Sequence, residues 1–228
     1  MPAPSSGTAA NPGTSVKRLS EVDTDPKSEI VIRPANPTYE DGLAYAKFLD
    51  QAADGFIRFM LGAKFADVIA DTFATPAHDF SFENVLVAER DAVIVGTAAG
   101  YTAQQHIECS DEVLRKARAF SSLRMSLVQL ISESLWRFLN AIENGDFYLQ
   151  SIAVASECRG EGIGSMLIDA MEKRATSSDA TRLVLDVAAK NEGARRLYER
   201  RGMTVEARWP RRFPIPQFRV LRMAKPLR

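Results

Sequence analysis

Apolar positions alternate with polar ones in some stretches of the chain and recur at every third or fourth residue in others. Alternation indicates a half-buried strand, whereas spacing of three and four indicates an amphipathic helix. The predicted strands are 29–33, 85–90, 93–101, 147–154 and 182–187, with two more between 203 and 224. The predicted helices are 37–53, most of 55–74, 110–142, 162–176 and 192–200. The pattern therefore predicts a mixed α/β fold.

Capping signals refine several helix ends. Asn36 is a typical N-cap residue, and Pro37 suits a first helical position, where its missing N–H costs nothing. Gly62 interrupts the helical pattern of the next segment. Ser110 can cap a long helix whose periodicity continues to Ile142 and stops at 144–145.

The strands also suggest how the sheet is paired. The dipeptide Asp91-Ala92 separates two β-rich runs and predicts a hairpin, in which Gly96 and Gly100 would mark bulges. Later in the chain, the order strand, helix, strand, helix from residue 147 to residue 200 implies that the strands 147–154 and 182–187 are parallel.

The two ends of the chain differ in composition from its middle. Residues 1–28 are rich in Pro, Ser, Gly, Thr and Ala and predict a flexible tail, which leaves 29–228 as one domain. No stretch approaches the roughly 20 apolar residues of a membrane span, and no signal peptide is visible, so a cytoplasmic location is expected. The 39 residues from Lys190 to Arg228 carry 12 basic and 3 acidic side chains, which favours a polyanionic ligand or a solvated basic face.

Other classes of function lack their usual signals. Two cysteines, Cys109 and Cys158, are too few for a disulfide framework or a zinc site, and no metal is expected. The basic end has neither interleaved aromatic residues nor zinc-finger spacing, which argues against nucleic-acid binding. A P-loop is excluded because the sequence has no G-x-x-x-x-G-K-[ST].

The sequence RGEGIG, from Arg159 to Gly164, lies between a predicted strand and a predicted helix. Glycine allows the backbone to approach a ligand closely, and the first N–H groups of a helix point outward together, so this turn can bind an anion. A dinucleotide site is an alternative reading, since Asp186 ends the next strand as a ribose-binding carboxylate would. Five residues separate the strand from Gly160, however, and this spacing disfavours that alternative.

A second group of residues accompanies this turn downstream. It consists of Asn191, Ala194, Leu197, Tyr198, Gly202 and Met203. The segment Tyr148–Met203 as a whole resembles the coenzyme-binding motifs of the GNAT superfamily of N-acetyltransferases, [QR]-x-x-G-x-[GA] and N-x-x-A-x-x-[LF]-Y-x-x-x-G-F. Met203 stands where phenylalanine is usual, which is a change between two apolar residues.

The resemblance implies a central twisted sheet of six or seven strands flanked by helices, with acetyl-CoA as acyl donor and an amine as acceptor. It implies that the main chain of Ile152, Ala153 and Val154 pairs with the pantetheine arm of CoA. It also implies a pyrophosphate site built from Arg159, Gly160, Gly162, Ile163, Gly164 and Ser165. Asn191 would contact the coenzyme through its amide.

Tyr198 is the expected catalytic residue, because the family often has a tyrosine at this place close to the thioester sulfur. A phenol with an ordinary pKa of about 10 is protonated at neutral pH and can supply the proton that a thiolate leaving group needs. The general base is not identified by the sequence. Glu108, Glu143, Asp146 and water are candidates, whereas His78, His106 and Cys158 are expected to be bystanders.

The stretch 110–144 departs from the usual fold, which has a short loop before the coenzyme-binding strand. Its apolar face must be buried against a partner, and it is expected either to cover the acceptor site or to form a homodimer interface. A direct N-acetyltransferase is therefore the leading hypothesis. A non-catalytic acyl-CoA-binding module and a dinucleotide-binding protein are the alternatives.

Overall fold

The computed structural model describes residues 28–109, 133–210 and 219–227. Most of the predicted tail, and residues 110–132 of the predicted insertion, lie outside these ranges. The seven described strands are β1 (Val31–Pro34), β2 (Val85–Arg90), β3 (Val93–Thr102), β4 (Asp146–Val154), β5 (Arg182–Ala188), β6 (Thr204–Trp209) and β7 (Val220–Pro226). They form one sheet in the order β1-β2-β3-β4-β5-β7-β6. The predicted mixed α/β sheet is confirmed.

The described helices flank this sheet. They are α1 (Tyr39–Ala52), α2 (Phe56–Leu61), α3 (Phe65–Phe73), α4 (Ala103–Glu108), α5 (133–139), α6 (Ile163–Ser177) and α7 (Glu192–Arg200). Among them, no helix combines the length and apolarity that crossing a bilayer requires.

The sheet separates two large cores because successive strand residues face opposite sides. Ala98 of β3 packs in the core that contains the buried side chains of α6, and Ala99 packs in the core beneath α1 and α3. We refer to these two sides as the α6 face and the α1 face. A smaller cluster on the α1 face joins Tyr101, Tyr148 and Val184 to Ile142.

The start of α1 differs from the prediction. Thr38, not Asn36, is the N-cap residue, and its hydroxyl accepts a hydrogen bond from the Asp41 N–H at 3.3 Å. The Asn36 N–H instead donates to the Asp41 carboxylate at 2.7 Å. Asp41 thus ties the segment before the helix to its first turn, which delays the helix start to Tyr39.

The segment after β3 contains a helix that the pattern analysis missed. Helix α4 begins with a capping box in which the Thr102 hydroxyl accepts from the Gln105 N–H and the Gln105 side chain accepts from the Thr102 N–H. At the other end of the predicted insertion, α5 ends at residue 139 and not at Ile142. Residues 140–145 connect α5 to β4 without helical structure, and the side chain of Arg222 binds the carbonyl groups of Phe138, Leu139 and Ala141 where α5 ends.

Strand β4 separates from β5 part of the way along the sheet. The two strands are parallel, as predicted, and pair from Asp146 with Arg182 to Leu149 with Leu185. At this point the ladder between β3 and β4 shifts register at Ala99 and Gly100, so that Gln150 is an extra residue in β4. Such a bulge bends a strand. The predicted bulges near Gly96 and Gly100 are both present.

A candidate coenzyme and acceptor site

The separated end of β4 exposes main-chain groups toward β5. The Ala155 N–H donates to the Val95 carbonyl of β3 at 2.8 Å, and the backbone groups of neighbouring residues point in opposite directions. Ala153 therefore faces β3, whereas Ile152 and Val154 face the gap between β4 and β5. We call this gap the split. Of the three residues predicted to hold pantetheine, two are turned toward the split.

One of these main-chain groups is already engaged. The Val154 carbonyl accepts a hydrogen bond from the Gln51 side-chain amide of α1 at 2.9 Å. Gln51 thus fixes the end of α1 against β4 at the wide end of the split. Sequence patterns gave no indication of this contact, because the two residues are 103 positions apart.

The turn from Arg159 to Ser165 has the geometry of an anion site. Gly160 and Gly162 have φ values of 85° and 87°, and a Cβ atom at either position would meet nothing within 4 Å. Gly162 is the N-cap of α6 and provides no side-chain acceptor, while no acidic residue lies in the first turn. The N–H groups at the start of α6 thus have no side-chain cap, and the space beside Gly160 and Gly162 is open, which fits the pyrophosphate group of a coenzyme.

Two arginines outside the predicted motif support this turn. The Arg90 guanidinium forms an ion pair with Glu161, and this contact raises the pKa of Arg90. Arg201 donates to the Ser165 carbonyl at 3.1 Å and to the Asp169 carboxylate at 2.5 Å. Both contacts hold the polypeptide on either side of Gly162. Arg159 itself is exposed on the surface of the turn.

Helix α7 places the downstream motif on the α6 face. The Asn191 side-chain oxygen accepts from the Ala194 N–H at 3.1 Å and so caps the helix. The Asn191 side-chain oxygen is used in this cap, so the amide nitrogen is the group that could donate a hydrogen bond to a coenzyme. Met203 is buried in the core with Tyr198, which explains why an apolar side chain suits that position.

Tyr198 is buried, with 6% of its surface exposed. Burial alone raises the pKa of its phenol to about 12, because a phenolate would lose its hydration there. Within the described part of the chain, its hydroxyl makes no hydrogen bond. The side chain is therefore a neutral hydroxyl group near the coenzyme motif, able to donate a proton or a hydrogen bond.

A buried polar chain lies on the opposite face, at the narrow end of the split. The Tyr148 hydroxyl donates to Asp186 at 3.0 Å, and Arg222 binds the same carboxylate through Nε at 3.0 Å and Nη2 at 2.7 Å. Burial raises the pKa of Asp186, and the Arg222 guanidinium opposes this shift. The carboxylate lies one residue beyond Leu185, where β5 stops pairing with β4.

The contacts of Asp186 also argue against a dinucleotide-binding site. Asp186, the residue that would bind a ribose, is occupied by Arg222 and Tyr148. In addition, β5 has an antiparallel neighbour in β7, whereas a dinucleotide-binding unit uses successive parallel strands.

The remaining sequence candidates occupy structural positions. The His78 side chain is buried between the Thr72 carbonyl and the Phe80 N–H, at 3.0 and 3.2 Å. Cys158 is buried and lies 3.9 Å from Arg90 Nη1. His106 pairs with Asp79 at 3.0 Å and stacks on Tyr101. These contacts are structural, and the role of His78 and Cys158 as bystanders stays a prediction.

The three carboxylates proposed as general bases are not gathered at the split. Asp146 is buried at the start of β4 and binds Arg182 at 2.8 Å. Glu143 is exposed, and Glu108 accepts a hydrogen bond from Gln104 within α4. Across the described ranges, no three His, Cys, Asp or Glu side chains are grouped so that they could hold a metal ion.

Comparison with known proteins decides the family. The family model described as acetyltransferase (GNAT) family matches residues 62–203, which is more than half of the chain. The chain belongs to the GNAT acetyltransferase family. The matched range includes the split, the glycine-rich turn and Tyr198. No curated protein sequence matches the chain.

Solved structures show the same fold. An acetyltransferase crystal structure is 26% identical to this GNAT chain, covers 87% of it and all of the other protein, and has a TM-score of 0.62. The N-acetyltransferase from Staphylococcus aureus Mu50 is 18% identical over 86% of this chain and all of its own, with a TM-score of 0.58. The NatC complex bound to Gag peptide and CoA is 16% identical over 88% of this chain and 99% of the other, with a TM-score of 0.51. The latter two support the fold alone.

Proposed function

We propose that this GNAT protein transfers an acetyl group from acetyl-CoA to a primary amine by direct attack. The observation that carries this proposal is the combination of the split with the glycine-rich turn at its wide end. The split offers main-chain groups of Ile152 and Val154, and the turn offers the N–H groups that begin α6. These are the two kinds of binding group that a pantetheine arm and a pyrophosphate require.

Acetyl-CoA would supply the acetyl group in activated form, as a thioester. The residues of the chain would bind and orient it, with the first turn of α6 holding the pyrophosphate and β4 directing the pantetheine arm into the split. Tyr198, on the α6 face, would hold a proton for the departing sulfur. Its buried, neutral phenol supports this role because it stays protonated at all physiological pH values.

The acceptor amine must lose a proton before or during attack, since an ammonium group has no lone pair. The Asp186 carboxylate at the narrow end of the split binds Arg222, and Asp146, at the start of β4, binds Arg182. We therefore infer that water accepts this proton.

A broad acceptor screen tests the proposal. The purified protein is incubated with acetyl-CoA and a panel of protein N-terminal peptides, lysine peptides, polyamines, aminoglycosides and small amines, and the products are analysed by mass spectrometry. We expect a mass increase of one acetyl group on at least one amine, with release of free CoA. Tight binding of acetyl-CoA in calorimetry without transfer to any amine would instead support a non-catalytic acyl-CoA-binding module.

A further inference from the structure

A groove lies on the α6 face at the outer edge of the sheet. Helix α6 forms one wall, and β1 with the start of β2 forms the other. Its volume is about 780 Å³, which is large enough for a short stretch of polypeptide. The apolar part of the lining consists of Ile32, Leu86, Met166 and Ala170. Met166 is 38% exposed, so this apolar surface is open to solvent.

The groove carries positive charge near the end of α6. Lys173 and Arg174 line it there, and neither forms an ion pair within the described ranges. Burial lowers the pKa of Arg174, and the charge of Glu83 opposes this only in part. The two carboxylates beside the groove are already engaged, since Asp169 binds Arg201 and Glu83 accepts from a main-chain N–H at 3.0 Å. A further carboxylate in the groove would therefore be favourable.

The direction of β1 shows where the preceding chain reaches this groove. β2 begins after Glu83, whose main-chain carbonyl accepts from Arg174 near the end of α6. β2 ends at Arg90, which pairs with Glu161 just before α6. Because β1 is antiparallel to β2, it runs from the start of α6 toward its end. The chain that precedes Ser28 therefore meets the groove at the end opposite the two cations.

The segment before β1 complements the groove in charge and in polarity. Residues 19–25 have the sequence LSEVDTD, with three carboxylates, two apolar side chains and no basic residue, whereas residues 1–18 contain no acidic residue at all. The dipeptide Asp25-Pro26 favours a turn, after which the preceding residues would run back along α6. Met166 and Arg174 are eight helical residues apart, or about 12 Å. Seven extended residues before Ser28 reach about 23 Å, which allows for both the turn and this length.

We propose that residues 19–25 fold back and dock in this groove of their own chain, so that their carboxylates compensate Lys173 and Arg174. Val22 would pack on the apolar lining. The segment is tethered to β1, and its effective concentration at the groove therefore exceeds that of the same segment in a second copy. Docking would also cover the outer edge of β1, an edge strand of a kind that proteins normally protect from pairing with other chains. The inference concerns a surface outside the coenzyme site and does not depend on the proposed function.

Carbodiimide coupling tests this contact in the full chain. The reagent joins a carboxylate to a lysine amine in direct contact with it, and mass spectrometry of the digested protein locates the new amide bond. We expect residues 21–25 to couple to Lys173 at least ten times more than to Lys47. Lys47 is the matched control, because it is an exposed lysine of α1 that forms no ion pair among the described residues. An equal mixture of ¹⁵N-labelled and unlabelled protein separates coupling within one chain from coupling between two copies.

Limited proteolysis measures docking without a coupling reagent. A glutamate-specific protease cuts after Glu21 only when this segment leaves the groove, so the cleavage rate reports the undocked population. Lys173→Glu places a like charge in the groove and should speed this cleavage at least tenfold. Lys47→Glu makes the same change on α1 and should leave the rate equal to that of the wild type.

Three results would overturn the inference. The first is equal coupling of residues 21–25 to Lys173 and to Lys47. The second is coupling found only between labelled and unlabelled chains, which would place the segment in the groove of a second copy. The third is cleavage after Glu21 at the same rate in the wild type and in Lys173→Glu. The first two results are obtained with the wild type, so the inference stays testable if Lys173→Glu does not fold.

Discussion

The phenol hydroxyl of Tyr198 lies in a buried, largely apolar environment. Burial raises its pKa to about 12, so the phenol is neutral throughout the pH range in which the protein would work. A phenol with a pKa of about 12 stays protonated near neutral pH and cannot accept a proton there, but it can donate one to the departing sulfur. The position of Tyr198 therefore restricts its proposed role to that of an acid or a hydrogen-bond donor.

Tyr198→Phe should separate this role from packing. The ring remains, so the core keeps its volume, and the hydroxyl loses no partner among the described residues. We expect turnover to fall at least tenfold and at most about 10⁴-fold, which is the upper end of what a general acid contributes. The affinity for CoA should not change. Steady-state kinetics and calorimetric titration measure the two quantities. Turnover equal to that of the wild type would remove Tyr198 from the mechanism.

Arg222→Met should destabilise the fold strongly. The substitution leaves the Asp186 carboxylate buried without its cation and removes the donor for three carbonyl groups after α5. Breaking a buried ion pair in this way costs about 3–5 kcal/mol. Urea unfolding measures the loss. Arg196→Met is the control, since Arg196 pairs with Glu192 on the exposed surface of α7 and should contribute less than about 1 kcal/mol.

Tyr198 and Arg222 differ in how far the sequence alone could predict their roles. Tyr198 and the glycines near Gly162 were predicted because their motif is local, and each position in it has a distinctive residue type. Arg222 was not predicted, because its partners Asp186 and Phe138 lie 36 and 84 positions away in the sequence. An arginine in a basic segment looks like a solvated surface residue until the fold brings a carboxylate to it.

At the scale of elements, the glycine-rich turn and α6 act as one unit. The turn can point its N–H groups outward only because Gly162 adopts a left-handed conformation, with φ of 87°. A residue with a Cβ atom is strained there although the surrounding space is open. The geometry of the anion site is therefore a property of the backbone.

Gly162→Ala should weaken CoA binding about tenfold, because the strain of about 1 kcal/mol shifts the turn away from the binding conformation. Gly55→Ala is a matched control. Gly55 is the N-cap of α2, has φ of 82°, and is likewise surrounded by open space. Both variants should lose similar stability in thermal unfolding. Equal CoA affinity for Gly162→Ala and Gly55→Ala in calorimetry would argue against the proposed pyrophosphate site.

The boundaries of elements were harder to predict than their existence. Helix α4 escaped the pattern analysis because it is one and a half turns long and its apolar positions show no period. Its capping box at Thr102 and Gln105 was visible in the sequence and is the signal that would have identified it. The start of α1 was placed too early because both Asn36 and Thr38 are good caps, and only the fold shows that Asp41 selects the second.

At the scale of the whole molecule, the two faces of the sheet carry different groups of residues. The α6 face holds the glycine-rich turn and Tyr198, both inside the range that matches the GNAT family. The α1 face carries the buried contacts among Tyr148, Asp186 and Arg222, and Arg222 also binds the end of α5 in the insertion at 110–144. The residues proposed to bind the coenzyme could be predicted from a motif, whereas the contacts of Arg222 join segments far apart in the sequence.

The split has a further consequence for the exchange of amide hydrogens. Amides in the middle of a sheet normally exchange slowly, since each is bonded to a neighbouring strand. The N–H groups of Ile152 and Val154 face the gap, whereas that of Ala155 is bonded to β3. We expect the first two to exchange with deuterium much faster than Ala155, and to become protected when CoA binds. Site-resolved exchange by NMR, with and without CoA, would then report occupancy of the site without any acceptor being known.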